Sequence, residues 1–157
     1  MDAPQALKIT NGDQTLPSVG IGLPVYNNAK YLPTLLDSLL NQTYPNIIIY
    51  ISDNCSNDGT ESICARYVAK DKRIKYHRNT KNIGANANSR KVLSMATTEY
   101  FMFSRGHEIL SENLVEECVK ILEKEDDVVL AFCTTKWIDD DNNVNFQRQR
   151  KITCDLC

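Results

Sequence analysis

Apolar and polar positions alternate between two periods along this chain. Val19 to Val25 is an unbroken apolar run that stops at Tyr26-Asn27-Asn28. From Tyr31 to Asn41 the leucines fall at 32, 35, 36, 39 and 40, the stripe of an amphipathic helix, with Pro33 in the first turn where a missing N–H is tolerated. After the turn Thr43-Tyr44-Pro45-Asn46, Ile47 to Ile51 is again continuously apolar, as a strand buried on both faces would be. Asp58 is placed to cap a helix that uses Ile63, Cys64, Tyr67 and Val68. Arg73 to His77 predicts a third strand, Asn82-Ile83-Gly84 a turn, and Ala85 to Ala96 a helix. Tyr100 to Phe103 predicts a fourth strand. A helix capped by Ser111 and bearing Leu114, Val115, Cys118, Val119, Ile121 and Leu122 follows, then a fifth strand over Val128 to Cys133. Asp139 to Asn143 reads as a hairpin turn. Strand and helix alternate throughout, which predicts an α/β class with a mostly parallel sheet flanked by helices on both faces.

Composition narrows the function. The 157 residues suit one domain with its own core, and 42% apolar with 24% charged residues is ordinary for a globular chain. A formal charge of -2 argues against nucleic acid as a partner. No apolar run approaches the length of a membrane span, and the first residues lack the basic and apolar regions of a signal peptide, so a cytoplasmic location is expected. Of the six cysteines, three lie in apolar segments and read as small hydrophobes. The closing Cys154-Asp155-Leu156-Cys157 lacks the second pair that a structural zinc site needs. The expected layout is a polar arm over residues 1–17, the main domain over 18–145 and a tail over 146–157.

Ligands of open α/β sheets bind in the crevice at the carboxyl ends of the strands, so four polar clusters stand out: 24–28, 53–58, 82–88 and 105–108. Asp58-Gly59-Thr60 reads equally well as a helix cap, and Asn82-x-Gly84 as a tight turn. Asp53 directly follows a buried strand, and a carboxylate there needs hydrogen-bond partners or water. A crevice lined by Tyr26 and Asp53 suits a nucleobase, the ring stacking and the carboxylate accepting an N–H. Gly20-x-Gly22 lies inside a strand, and the dinucleotide fingerprint of an oxidoreductase is missing.

The clusters, in their order and spacing, resemble the family 2 glycosyltransferases of the Rossmann-like GT-A fold. The residues that carry the resemblance are Gly22-Leu23-Pro24-Val25-Tyr26-Asn27, Leu36 to Tyr44, Ser52 to Thr60, Arg73-Ile74-Lys75-Tyr76, Asn82-Ile83-Gly84 and Trp137-Ile138-Asp139. The resemblance spans about Ser18 to Val144. It implies transfer of a sugar from a nucleotide-sugar, a UDP-sugar for preference, to an acceptor hydroxyl on a glycan, lipid or protein. It further implies that Pro24, Tyr26, Asn27 and Asp53 hold the nucleotide, with Asp58, Asn82, Gly84 and Asn88 shaping its pocket.

The family's Asp-rich metal motif is altered. The family uses a divalent cation, Mn2+ or Mg2+, on the donor diphosphate, but the stretch after the fourth strand reads Phe103-Ser104-Arg105-Gly106-His107-Glu108. Hard cations prefer carboxylates, and Glu108 is the one left here. Three readings stay open: Arg105 grips the diphosphate in place of the metal, the site no longer catalyses, or His107 and Glu108 bind a softer metal. The family's catalytic base lies in a half that would follow this sequence, so no base is assigned, and a catalytically silent nucleotide-binding module is the rival reading. An open second half would leave apolar surface for a partner chain or a second copy.

Overall fold

The computed structural model describes residues 16–125, 127–139 and 143–148. The expected arm up to residue 15, Asp140, Asp141 and the terminal CxxC lie outside the described residues. The chain divides into two compact units. One contains the residues up to Pro33 and Asn46–Glu108; the other contains Thr34–Pro45 and the residues from Ile109 onward.

The first unit is built on a four-stranded sheet, β1 (Val19–Val25), β2 (Ile47–Asp53), β3 (Ile74–Arg78) and β4 (Tyr100–Phe103), in the order β3-β2-β1-β4. All three pairings are parallel. Ile21, Leu23, Ile49 and Ile51 are fully buried, because strands covered on both faces leave no side for water. Chain order moves outward from β1 to β3 and then returns past β1 to β4, so the strand order reverses beside β1.

Parallel crossovers are right-handed, and a reversal of direction therefore puts successive helices on opposite faces. The hydrogen bonds agree. Ser52 and Asp53 are consecutive in β2 and point to opposite sides. The Ser52 hydroxyl meets Asn88 of α3 (Ala85–Met95) at 2.7 Å, while Asp53 sits beside Cys64 of α2 (Thr60–Lys70). On the α3 side the sheet has no room for a Cβ at Gly20: one built there would lie 2.5 Å from the Thr98 hydroxyl and 3.1 Å from the Tyr50 ring.

Two helix starts differ from the caps expected. The residue before α2 is Gly59, at φ +96°, and Asp58 instead accepts the Thr60 N–H (3.1 Å) and hydroxyl (2.6 Å) in a local turn. In the second unit Ser111 gives no side-chain cap to α3's successor, α4 (Leu114–Lys124). Gln42 does that work: its Oε1 accepts the Val115 N–H (3.1 Å) while its Nε2 donates to the Ser111 carbonyl (2.7 Å). A cap supplied by a residue 73 positions away leaves no local signal.

The fifth strand is also displaced. Val128 to Cys133 forms no ladder among the described residues, and Val129 (93%) and Leu130 (72%) are exposed. A β-branched run becomes a strand only when a neighbour offers an edge. The next strands, β5 (Thr135–Ile138) and β6 (Val144–Arg148), pair antiparallel instead. Asp139 and Asn143, the ends of the expected turn, bond to each other, with the Asn143 N–H on Asp139 Oδ1 at 2.9 Å; the residues between them lie outside the described ones. β6 runs past the boundary placed after residue 145.

Candidate functional site

The loops after β1 and β2 are tied together before any ligand is considered. Asn28 Oδ1 accepts the Tyr26 N–H at 2.9 Å. The Asn27 N–H donates to Ser56 Oγ (2.9 Å), the Asn28 N–H to Thr60 Oγ1 (3.0 Å), and the Ala29 N–H to Asp58 Oδ2 (2.9 Å). In return Asn27 Oδ1 accepts the Asn57 N–H at 3.0 Å. Asn27 (φ +52°) and Cys55 (φ +64°) are the non-glycine residues with left-handed backbone among the described residues, and each follows the end of a neighbouring strand. Such conformations persist where surrounding bonds over-determine them.

Asp53 is the anchor of this brace. Its side chain is wholly buried. Oδ1 accepts the Ser56 N–H (2.9 Å) and hydroxyl (2.5 Å), and Oδ2 accepts the Tyr76 hydroxyl (2.9 Å) with Arg78 Nε at 3.6 Å. Burial raises the Cys64 thiol to about 12, and the charge of Asp53 adds to it, so this cysteine stays a neutral packing group. Burial, with the hydrogen bond to Asp53, likewise holds the Tyr76 phenol protonated.

A cleft of about 170 Å3 opens between the end of β1 and the start of α3. Pro24, Val25, Tyr26, Asn54, Asn82 and Asn88 line it, with Ala85 and Ser89 from the first turns of α3. The Tyr26 ring is half exposed. Beneath it lies an amide network: Asn79 Nδ2 donates to Asn54 Oδ1 (3.2 Å) and Asn88 Oδ1 (2.9 Å), and Asn88 Nδ2 donates to the Ser52 carbonyl (2.8 Å). Gly84, at φ +85°, turns the chain into α3, and its N–H donates to Asn82 Oδ1 at 2.9 Å.

Of the residues singled out in the sequence, Pro24, Tyr26, Asn82 and Asn88 therefore meet at one cleft. Asn27, Asp58 and Gly84 are not among the lining residues: Asn27 and Asp58 belong to the ties between the β1 and β2 loops, and Gly84 bonds to Asn82. Asp53 does not line it: its carboxylate points to the α2 side, and the neighbouring Asn54 faces the cleft. Strand alternation carried that signal, since a strand with Ile47, Ile49, Ile51 and Asp53 on one face turns Ser52 to the other. Val25, Ala85 and Ser89 gave no comparable signal, being ordinary residues placed by the fold.

Asp58 gives the ties between the two loops a pH dependence. Burial alone would raise its pKa, but hydrogen bonds from the Thr60 hydroxyl, the Ala29 N–H and the Thr60 N–H outweigh it and lower the value. A carboxylate lowered in the folded state adds stability above its ordinary range, and that stability is lost as pH falls through the lowered value. Asp58→Asn should therefore lower the urea midpoint at neutral pH and bring the two curves together in acid. A gap that stays constant with pH would contradict this role.

Arg105, His107 and Glu108 lie on the loop after β4 and do not line the cleft. The loop reaches the β1 end through Gly106, where a Cβ would stand 2.6 Å from the Asn28 side chain. Glu108 Oε2 accepts both the Ser104 hydroxyl and the Arg105 N–H at 2.9 Å, which closes the loop on itself. Among the described residues no three His, Cys, Asp or Glu side chains could hold a metal ion together. Glu108 is the one carboxylate over residues 103–108 and one of its oxygens is already taken by two donors, so this stretch does not supply the donor set of a hard divalent cation. The Arg105 guanidinium is exposed and has no protein partner among the described residues.

A family profile described as Glycosyl transferase family 2 matches residues 21–154. The chain belongs to glycosyl transferase family 2. An uncharacterized glycosyltransferase of Methanocaldococcus jannaschii is 30% identical over 135 residues, 85% of this chain and 47% of that protein. Glycosyltransferase GlyG of Streptococcus pneumoniae is 32% identical over 115 residues, covering 72% and 38%. This chain thus spans less than half the length of these family 2 relatives. Among solved structures, S. aureus TarS 1-349 in complex with UDP superposes with a TM-score of 0.64 at 24% identity, over 68% of this chain and 32% of that one. Mannosyltransferase PcManGT from Pyrobaculum calidifontis, in complex with GDP-Man and Mn2+, gives 0.64 at 22%, over 76% and 36%. These likenesses bear out the parallel GT-A sheet flanked by helices. Among the described residues no helix is long and apolar enough to cross a membrane.

Proposed function

We propose that the cleft between β1 and α3 binds the nucleotide of a nucleotide-sugar donor, and that the protein transfers the sugar to an acceptor hydroxyl. The observation that carries this reading is the cleft's place: it opens at the carboxyl end of β1, beside the reversal of strand order, in a family 2 chain. Tyr26, with Pro24 beside it, offers a face on which a base can stack. Asn54, Asn82 and Ser89 supply neutral hydrogen-bonding groups around it, and the brace from Asp53 through Ser56 to Asn27 holds the stacking loop still. Support from relatives is by analogy, since TarS is described with UDP and PcManGT with GDP-Man and Mn2+.

In this reading Arg105 takes the donor diphosphate. A guanidinium can engage two phosphate oxygens at once and carries a permanent charge, so it can offset the negative charge that collects on a departing diphosphate. The acceptor, catalytic base and the class of transferred sugar belong to parts of the reaction that these residues do not reach. The four described cysteines are free thiols, which suits a reducing, cytoplasmic setting.

Calorimetric titration of UDP with and without Mn2+ tests this reading. Binding at the same affinity in both conditions is expected, and Arg105→Ala should weaken it about tenfold or more, as loss of a charge-assisted bidentate contact would. Binding that appears only with Mn2+ would replace Arg105 by a metal site. Absence of binding to UDP and to other nucleoside diphosphates would favour a silent module.

A further inference from the structure

Between Asp71 and Glu99 the chain carries no acidic residue. Residues 72–98 hold seven of the eighteen Lys and Arg and none of the twenty Asp and Glu, in a chain whose net charge is -2. The whole stretch belongs to the first unit. Two of the seven are neutralised, Arg73 by Asp71 at 2.9 Å and Arg78 by Glu61 at 3.1 Å. Lys72, Lys75, Lys81, Arg90 and Lys91 have no ion-pair partner among the described residues. All but the half-buried Lys91 are exposed.

Four of these five gather on and beside α3. The Tyr50 hydroxyl accepts the N–H of Thr97, just past the helix, at 3.3 Å, so Tyr50 faces the α3 side of the sheet. Lys75 is its register partner in β3 and shares that side. The helix packs on β1 and β2, which leaves Lys75 exposed at its flank. Along α3, Asn88 points at the sheet and Ser89 at the cleft beside β1. Helix periodicity turns Lys91 to the opposite flank, toward β3 and Lys75. Arg90 and Leu93, three positions apart, occupy the outer face, where Leu93 is 47% exposed. Ile83, 38% exposed, precedes the helix near Lys81 in sequence.

This mixture of side chains decides the kind of partner. Aliphatic groups interleaved with unpaired cations on the outward face of a helix suit a lipid surface, the cations meeting anionic headgroups and the aliphatics settling just below them. A nucleic acid would call for exposed aromatic rings to stack its bases. The one Phe, Tyr or Trp of the stretch is Tyr76, held on the other side of the sheet by Asp53 at 2.9 Å. We propose that this face of the first unit docks peripherally on an anionic membrane surface, through Lys75, Lys81, Arg90 and Lys91 with Ile83 and Leu93. The docking uses no spanning segment and does not depend on the nucleotide-binding reading.

Co-sedimentation of the 157-residue protein with lipid vesicles tests it. Vesicles of phosphatidylcholine with about 30% phosphatidylserine should pull the protein down at about 0.1 M salt, while phosphatidylcholine alone should leave it in solution. Each basic residue at such a surface is worth about fivefold in affinity, so the triple variant Lys75→Gln, Arg90→Gln, Lys91→Gln should lose roughly a hundredfold. Leu93→Ser keeps every charge and should lose about threefold or more. Circular dichroism confirms that both variants are folded. Failure to sediment with the anionic vesicles, equal sedimentation with both kinds, or wild-type binding by the triple variant would each overturn the proposal. So would unchanged vesicle binding by Leu93→Ser together with tighter binding of the wild type to a single-stranded RNA oligomer, which would give the face to a free polyanion.

Discussion

Replacing Asp53 with alanine should destabilise the protein by about 3 kcal/mol, within the range for removing one partner of a buried, hydrogen-bonded charge. The substitution leaves the Ser56 N–H, the Ser56 hydroxyl and the Tyr76 hydroxyl without their acceptor, in a place water does not reach. Arg78 keeps its bond to the Ser56 carbonyl and its pairing with Glu61, so it softens the loss without replacing the acceptor. Because Ser56 also receives the Asn27 N–H, the β1 loop loosens along with the β2 loop. Chemical denaturation reads the stability change. A variant that unfolds at the wild-type midpoint but no longer binds UDP would mean that Asp53 touches the ligand directly. A loss of stability with binding restored at low temperature is the expected pattern.

The second large effect is expected at Asn88. Its amide makes bonds to four groups: the Ser52 hydroxyl, the Asn79 amide, the Ser52 carbonyl and, at 3.5 Å, the Val25 carbonyl. Asn88→Ala removes them all from a site that is nearly fully buried, and should cost about 2–3 kcal/mol. It should also weaken nucleotide binding, because the Asn79 amide, which bonds the cleft residue Asn54 as well, loses one of its two acceptors. Asn88→Asp is the informative companion. A carboxylate can still accept from Ser52 and Asn79 but cannot donate to the two carbonyls, so it should be destabilised as well. A wild-type denaturation midpoint in both variants would remove Asn88 from the framework of the cleft.

Much of this arrangement was legible in the chain. The continuous apolar runs at Val19 to Val25 and Ile47 to Ile51 fit strands buried on both faces, and the alternation of strand with helix then points to a parallel sheet with crossover helices. The polar clusters fall at strand ends by connectivity, which is why the sequence itself groups Pro24, Tyr26, Asn82 and Asn88. What composition could not convey was direction. Asp53 and Asn54 are one bond apart in sequence and serve opposite faces of the sheet, one as a buried brace and the other as a wall of the cleft. The carboxylate drew the eye because charge is the stronger chemical signal, while the strand's alternation decided the outcome. Val128 to Cys133 shows the other limit: the run has every local preference of a strand, yet no described neighbour pairs with it. Gln42 capping α4 from far along the chain is a third case, set by tertiary contact and invisible to local pattern.

The measurement that bears most directly on the central claim is a proton–nitrogen NMR titration of the labelled protein with UDP. Shifts are expected at the backbone amides of Tyr26, Ile83 and Ala85 and at the side-chain amides of Asn54 and Asn82. The Arg105 signals should move with the diphosphate. Saturable shifts confined to residues outside this set, with the asparagine side chains of the cleft unmoved, would contradict the assignment of the cleft as the nucleotide site.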